Sequence, residues 1–142
     1  MKVEHIHIEG NDPKWNMPYV PAIKVTGGSF VFVSGVTAAP VYHSHPHVPE
    51  EFSDIPDDPA AQAGMAIDNL QRILEQAGGG LGDVVQLMRF IVDEERNQDA
   101  INKVMRARFG GHLAASTSVE IVRLATDPRL VLELQAVAVV PD

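Results

Sequence analysis

Residues 58–92 read DPAAQAGMAIDNLQRILEQAGGGLGDVVQLMRFIV, and this stretch decides the fold. Asp58-Pro59 is a helix start, with Asp as N-cap and Pro at the first helical position. Ile67, Leu70, Ile73, Leu74 and Ala77 follow at helical spacing, and Gly78-Gly79-Gly80 closes the element. The apolar, β-branched run Val84–Val92 then predicts a strand. Upstream, Val3 to Glu9 alternates with period two, which predicts a strand with Ile6 and Ile8 inward. After a loop punctuated by Pro13, Pro18 and Pro21, Val20–Val25 and Phe30–Val36 read as a hairpin around Thr26-Gly27-Gly28-Ser29. Downstream, a second helix from about Asn97 is expected to bury Ile101, Val104, Met105 and Phe109 before Gly110-Gly111 stops it. Thr117–Leu124 and Leu130–Val140 complete the chain as strands, turning at Asp127-Pro128. The order β-β-β-α-β-α-β-β predicts one α+β domain over residues 1–142, with two helices on one face of a mixed sheet. Residues 37–59, rich in proline, histidine and acids, cannot hold a ladder and read as a long loop, of a length usually functional or disordered.

Composition narrows the task. The 142 residues carry 19 acidic against 11 basic side chains, a formal net charge of −8. Lys103, Arg106 and Arg108 are the only dense basic stretch, so nucleic acid and anionic membrane are not expected partners. Thiol chemistry is excluded by the absence of cysteine. No run approaches the ~20 apolar residues of a membrane span, and the amino terminus lacks the pattern of a secretory leader, so a cytoplasmic protein is expected. A single sheet with helices on one face also leaves the other bare. Ile6, Val31, Val33, Leu132, Leu134 and Val137 are more than two helices can cover, which predicts a closed homo-oligomer.

Chemistry-bearing residues are few. His43, His45 and His47 place three imidazoles within five residues, near Glu50, Glu51 and Asp54. These are donors for zinc, but no rigid helix or hairpin presents them and Pro46 stands between two of them, so no metal is assigned. The same histidines suit a polar loop at a cleft or a proton-transfer role. Ser34-Gly35 lacks a nucleophile-elbow pattern, and Gly78-Gly79-Gly80 follows a helix instead of opening one, which excludes a phosphate loop. Ser116, Ser118 and Glu120 share one strand face and Glu133 and Gln135 share another. If those two strands pair, their polar groups gather in one patch.

Several segments together resemble the Rid proteins (YjgF/YER057c/UK114), also called endoribonuclease L-PSP-like. These are Pro18-Tyr19-Val20, Phe32-Val33-Ser34-Gly35, Gln62 with Asn69-Leu70, Ala77-Gly78, and Leu81-Gly82-Asp83-Val84-Val85. Val119 through Leu124 and Glu133 through Ala138 extend the match over nearly the whole chain. The resemblance implies a chorismate-mutase-like fold, a homotrimer whose sheets form a central barrel, and sites in clefts between subunits. It implies cofactor-free hydrolysis of reactive imines and enamines to ketoacids and ammonia. By the same resemblance Tyr19, Gly35 and Ser118 match site positions of the family. The Arg that clamps a substrate carboxylate falls on Ser116, and the Glu that positions water falls on Gln135. A neutral serine cannot supply a charge-assisted, two-pronged clamp.

The expected protein is therefore a cofactor-free, Rid-like hydrolase or deaminase of altered specificity, acting on an enamine, imine or unsaturated ring-fission acid. Tyr19, Gly35, Ser116, Ser118, Gln135, His43 and His47 would bind the substrate, and His45, His112 and Glu120 are the candidates for catalytic proton transfer. The rival is a non-catalytic trimer that binds a small carboxylic acid and has lost the deaminase chemistry, and a third, weaker alternative is a metal-binding trimer that uses the loop histidines.

Overall fold

The computed structural model describes residues 1–142. Six strands and two α-helices run in the expected order: β1 (Lys2–Ile6), β2 (Ala22–Thr26), β3 (Ser29–Val36), α1 (Pro59–Gln76), β4 (Val84–Val92), α2 (Glu94–Phe109), β5 (Ala115–Ile121) and β6 (Leu132–Val140). β3, β6, β4 and β5 lie side by side in that order as one mixed sheet. β4 and β5 are parallel, joined through α2 by the crossover that a parallel pair requires, and the other neighbours are antiparallel.

α1 is set by its ends. The Asp58 carboxylate accepts from the Ala61 amide at 3.0 Å, and Gly78, at φ +82°, lets the Gly79 amide return to the Leu74 carbonyl at 2.9 Å. Between them Ala63, Ala66, Ile67, Leu70 and Leu74 are fully buried. They meet Leu132, Leu134, Ala136 and Ala138, every second residue of β6, together with Leu87 and Ile91 of β4 and Ile101 and Met105 of α2. Burying one such aliphatic side chain contributes about 1.5–3 kcal/mol, so this layer dominates the stability. α2 begins at Glu94, earlier than Asn97. Asn97 lies inside the helix, where its side-chain amide donates to the Val92 carbonyl at 2.7 Å.

Three expectations are corrected. β2 and β3 do not form the sheet hairpin: β2 pairs with β1 in a separate two-stranded ribbon, and β3 pairs with β6. The turn signal at Gly27-Gly28 is real, with φ of +77° and +80°, but it bends the chain from ribbon to sheet. β6 takes one edge of β3 and leaves the other free, while β2 is held by its five-residue register with β1. Second, Ile6 and Ile8 are not inward; they are 40% and 75% exposed, because the ribbon lies apart from the main core. Third, Val33, Leu132 and Leu134 are buried under the helices, and the large apolar groups left on the bare face are Phe30 and Phe32 of β3, 66% and 78% exposed. Their rings stack 6.0 Å apart.

The loop over residues 37–59 is ordered. Ala38, Ala39, Phe52 and Ile55 form a second buried cluster with Leu124 and Leu130, packed against Phe90, Val92 and Ile121. Asn69 of α1 donates to the Thr37 and Ala39 carbonyls, and Gln62 ties Pro56 to the β5–β6 connection.

Candidate functional site

The long segment before β2 returns to the sheet at Val20, which is buried and donates its amide to the Ala114 carbonyl at 3.3 Å. That contact lays Met17, Pro18 and Tyr19 beside the start of β5. Ser116 and Ser118 register opposite Leu87 and Arg89 of β4, on the face that carries the helices. α2 covers this edge incompletely. A groove of about 930 Å³ remains, with Tyr19, Ser116, Ser118 and His112 in its wall.

The groove is cationic. Arg89, Lys103 and Arg106 all line it, and none belongs to the chain's ion pairs, which are Lys2–Glu4, Lys14–Asp12, Arg108–Asp68 and Arg129–Asp127. Arg89 is half-buried. Its Nε donates to Ser118 Oγ at 2.9 Å and its Nη1 to Asn102 Oδ1 at 2.6 Å. Both acceptors are neutral, and burial pushes the guanidinium down from its ordinary value, with the Glu94 charge opposing the shift. An anion entering here meets donors that are already oriented and whose charge is unspent.

His112 is fixed by its Nε2, 2.6 Å from the Val84 carbonyl. A carbonyl only accepts, so a neutral ring holds its proton on Nε2 and keeps the Nδ1 lone pair, the form suited to take a proton from water.

The other expected site residues lie elsewhere. β4 separates β5 from β6, so the expected patch does not assemble within one chain: Ser116 and Ser118 face the helices, whereas Glu133 and Gln135 face the bare side. Gly35 lies with Gln135, since β3 bulges between Val33 and Val36 against β6. Glu133 presses on the Gly35 backbone, in the space where any side chain at position 35 would sit. Burial raises the Glu133 carboxyl above its ordinary range. Glu120 caps α2, accepting the Glu94 amide at 2.9 Å, at an end where Asp93 supplies no side-chain cap. His43, His45 and His47 do not line the groove; they cluster with one another, His43 and His47 resting on Phe52.

Arg89 and Lys103 were not among the residues singled out from sequence as site candidates, yet each left a signal. Leu87, Arg89 and Ile91 share one strand face, so Arg89 is a charge where the pattern asks for an apolar residue. Lys103 and Arg106 lie three apart on one side of α2.

Relatives share this architecture. A conserved Rid-family protein of unknown function from Yersinia pestis superposes with a TM-score of 0.79 at 23% identity, covering 99% of this chain and all of that one. A RutC family protein of Pyrococcus abyssi is 35% identical over 127 residues, 89% of each chain. The 2-iminobutanoate/2-iminopropanoate deaminase of Escherichia coli K12 is 31% identical over 132 residues, 91% of this chain and 92% of the enzyme. The family model described as endoribonuclease L-PSP matches residues 9–140. With its two helices on a mixed sheet and this match along almost its entire length, the chain belongs to the endoribonuclease L-PSP family, the Rid (YjgF/YER057c/UK114) proteins.

Proposed function

We propose that this protein is a Rid-type hydrolase whose substrate is an imine, enamine or unsaturated ring-derived compound bearing a carboxylate. One observation carries the reading: three cations that form no ion pair line the same groove as Ser116 and Ser118, and one of them, Arg89, is bonded to Ser118 Oγ. The named deaminase among the relatives acts on imino acids, which carry the same two groups, a C=N bond and a carboxylate. Ser116 stands where the resemblance expects a clamping Arg. Here the charge comes from β4 and α2 instead, with Arg89 already aligned by Ser118.

The chemistry needs no redox partner. Water adds its oxygen to the imine carbon, the carbon–nitrogen bond breaks, and nitrogen departs as ammonia, leaving a carbonyl. Arg89 holds the carboxylate, Tyr19 borders the substrate, and His112 passes both protons of the water to the nitrogen through Nδ1, one as the oxygen adds and the second, from the resulting hydroxyl, as the carbon–nitrogen bond breaks.

Gly35 and Gln135 join through assembly. They lie on the same bare face as the exposed Phe30 and Phe32, and a neighbouring copy covering that face in a homotrimer brings them to the groove of the next chain. The long loop over residues 37–59 borders this assembly on the same side of the sheet, through Phe90.

The test is ammonia release from imino acids generated in situ. Wild-type protein accelerates it, and Arg89→Gln raises KM about 10- to 100-fold, the weight of one hydrogen bond to a charged group. Unchanged KM in that variant would overturn the groove assignment. The neutral Ser116 and Gln135 favour a second reading, a binding trimer without turnover. Saturable binding of a small carboxylic acid with no ammonia release from any imine selects it.

A further inference from the structure

We propose that His43, His45 and His47 form a binding site for one zinc-class divalent ion, outside the groove. Their ligand nitrogens all lie within 4.8 Å of one another. The three ring centroids form a near-equilateral triangle, separated by 4.8, 5.1 and 5.3 Å. Tetrahedral zinc with bonds of about 2.05 Å sets its nitrogens about 3.4 Å apart. Closing the triangle onto an ion therefore takes small side-chain rotations, and His45 and His47 are exposed and free to make them.

The surroundings hold this arrangement from below. His43 and His47 each rest on Phe52, at 5.0 and 5.1 Å, and Phe52 is itself only 3% exposed within the second apolar cluster. The loop is thus anchored in packed structure, the rigid presentation that the sequence did not reveal. Nδ1 of His43 lies 2.9 Å from the Pro40 carbonyl. It must donate, which fixes the tautomer and leaves Nε2 as the ligand atom, the outer-shell pattern of metal-binding histidines. Glu51 is already engaged, both carboxylate oxygens accepting from the Ser44 amide at 2.8 and 3.2 Å. It clamps the loop and is not a fourth ligand. Three neutral imidazoles with a position left for water suit zinc, cobalt, nickel or copper in preference to magnesium or calcium.

The site is independent of the proposed hydrolysis, so its test reads metal binding and not turnover. Protein made without a histidine tag and stripped with chelator is titrated with Zn²⁺ by calorimetry, and with Co²⁺ by its visible absorption. One ion per chain is expected, with a rise in the unfolding temperature on loading. His45→Ala/His47→Ala weakens binding about 100-fold or more, beyond what loss of an outer-shell partner costs. Both side chains are exposed, and an unchanged circular-dichroism spectrum and apo unfolding temperature verify that the variant is folded. His5→Ala/His7→Ala, on the β1 ribbon and its exit, leaves binding intact. No saturable binding in the micromolar range overturns the proposal, as does binding that survives loss of His45 and His47.

Discussion

Glu133 and Arg89 show how one side chain carries consequences beyond its own contacts. Glu133 is half-buried on the bare face of the sheet, and burial raises its carboxyl above the ordinary 4.5. Its folded value exceeds its unfolded value, so its contribution to stability is fully present below about pH 4.5 and is lost as pH rises through the folded value. Glu133→Gln removes that loss. Urea unfolding midpoints measured from pH 4 to 8 are expected to be alike near pH 4 and to rise above those of wild type toward the alkaline end of that range. Glu133 is paired in sequence with Gln135 by simple alternation, but its pressure on Gly35 depends on the β3 bulge, which no local pattern announces. Arg89 was visible as a charge on an apolar face. That its face opens into a groove depends on where α2 stops covering the sheet, a property of packing between distant elements.

At the scale of elements, α1 and its loop are tied through Gln62. Fully buried, it donates to the Pro56 and Arg129 carbonyls at 2.8 Å each and accepts the Val131 amide at 2.8 Å. Gln62→Leu keeps the volume but strips partners from three backbone groups. At about 1–3 kcal/mol for each buried group left unpaired, with water reaching some of them, a loss of about 2–4 kcal/mol is expected in chemical denaturation. Element identity was largely legible from sequence, because caps and periodicity are local: Asp58, Pro59 and the glycines at 78–80 frame α1 without reference to the rest of the chain. Strand pairing was not legible. Thr26-Gly27-Gly28-Ser29 is a turn on any reading, yet that β2 pairs back with β1, and β3 with β6 about a hundred residues away, is not set by the turn. The same limit dispersed the candidate site. β5 and β6 are consecutive, so their polar faces were expected together, but β4 lies between them and turns Ser116 and Gln135 to opposite sides.

For the molecule as a whole, the stacked Phe30 and Phe32 mark the face that a single chain leaves unfinished. Phe32→Lys places a charge where a neighbouring copy is proposed to pack. Light scattering is expected to show three chains for wild type and a shift toward one chain for the variant. The unfolding of the isolated chain should change little, because position 32 is outside the core. No helix of this chain is long and apolar enough to cross a membrane.

The groove's unpaired cations belong to a chain whose net charge is −8, and the two facts act over different distances. In dilute salt, where charges are felt over about 30 Å, an approaching anion meets the field of the whole acidic surface and is turned away. At physiological ionic strength that reach shrinks to about 8 Å. The remote carboxylates then fade, while Arg89, Lys103 and Arg106 still act on whatever touches them. Raising salt toward cellular levels thus opens the groove to small anions, the reverse of the behaviour of a basic pocket on a basic protein. A long anionic polymer gains nothing from this, since most of its length stays over the acidic exterior.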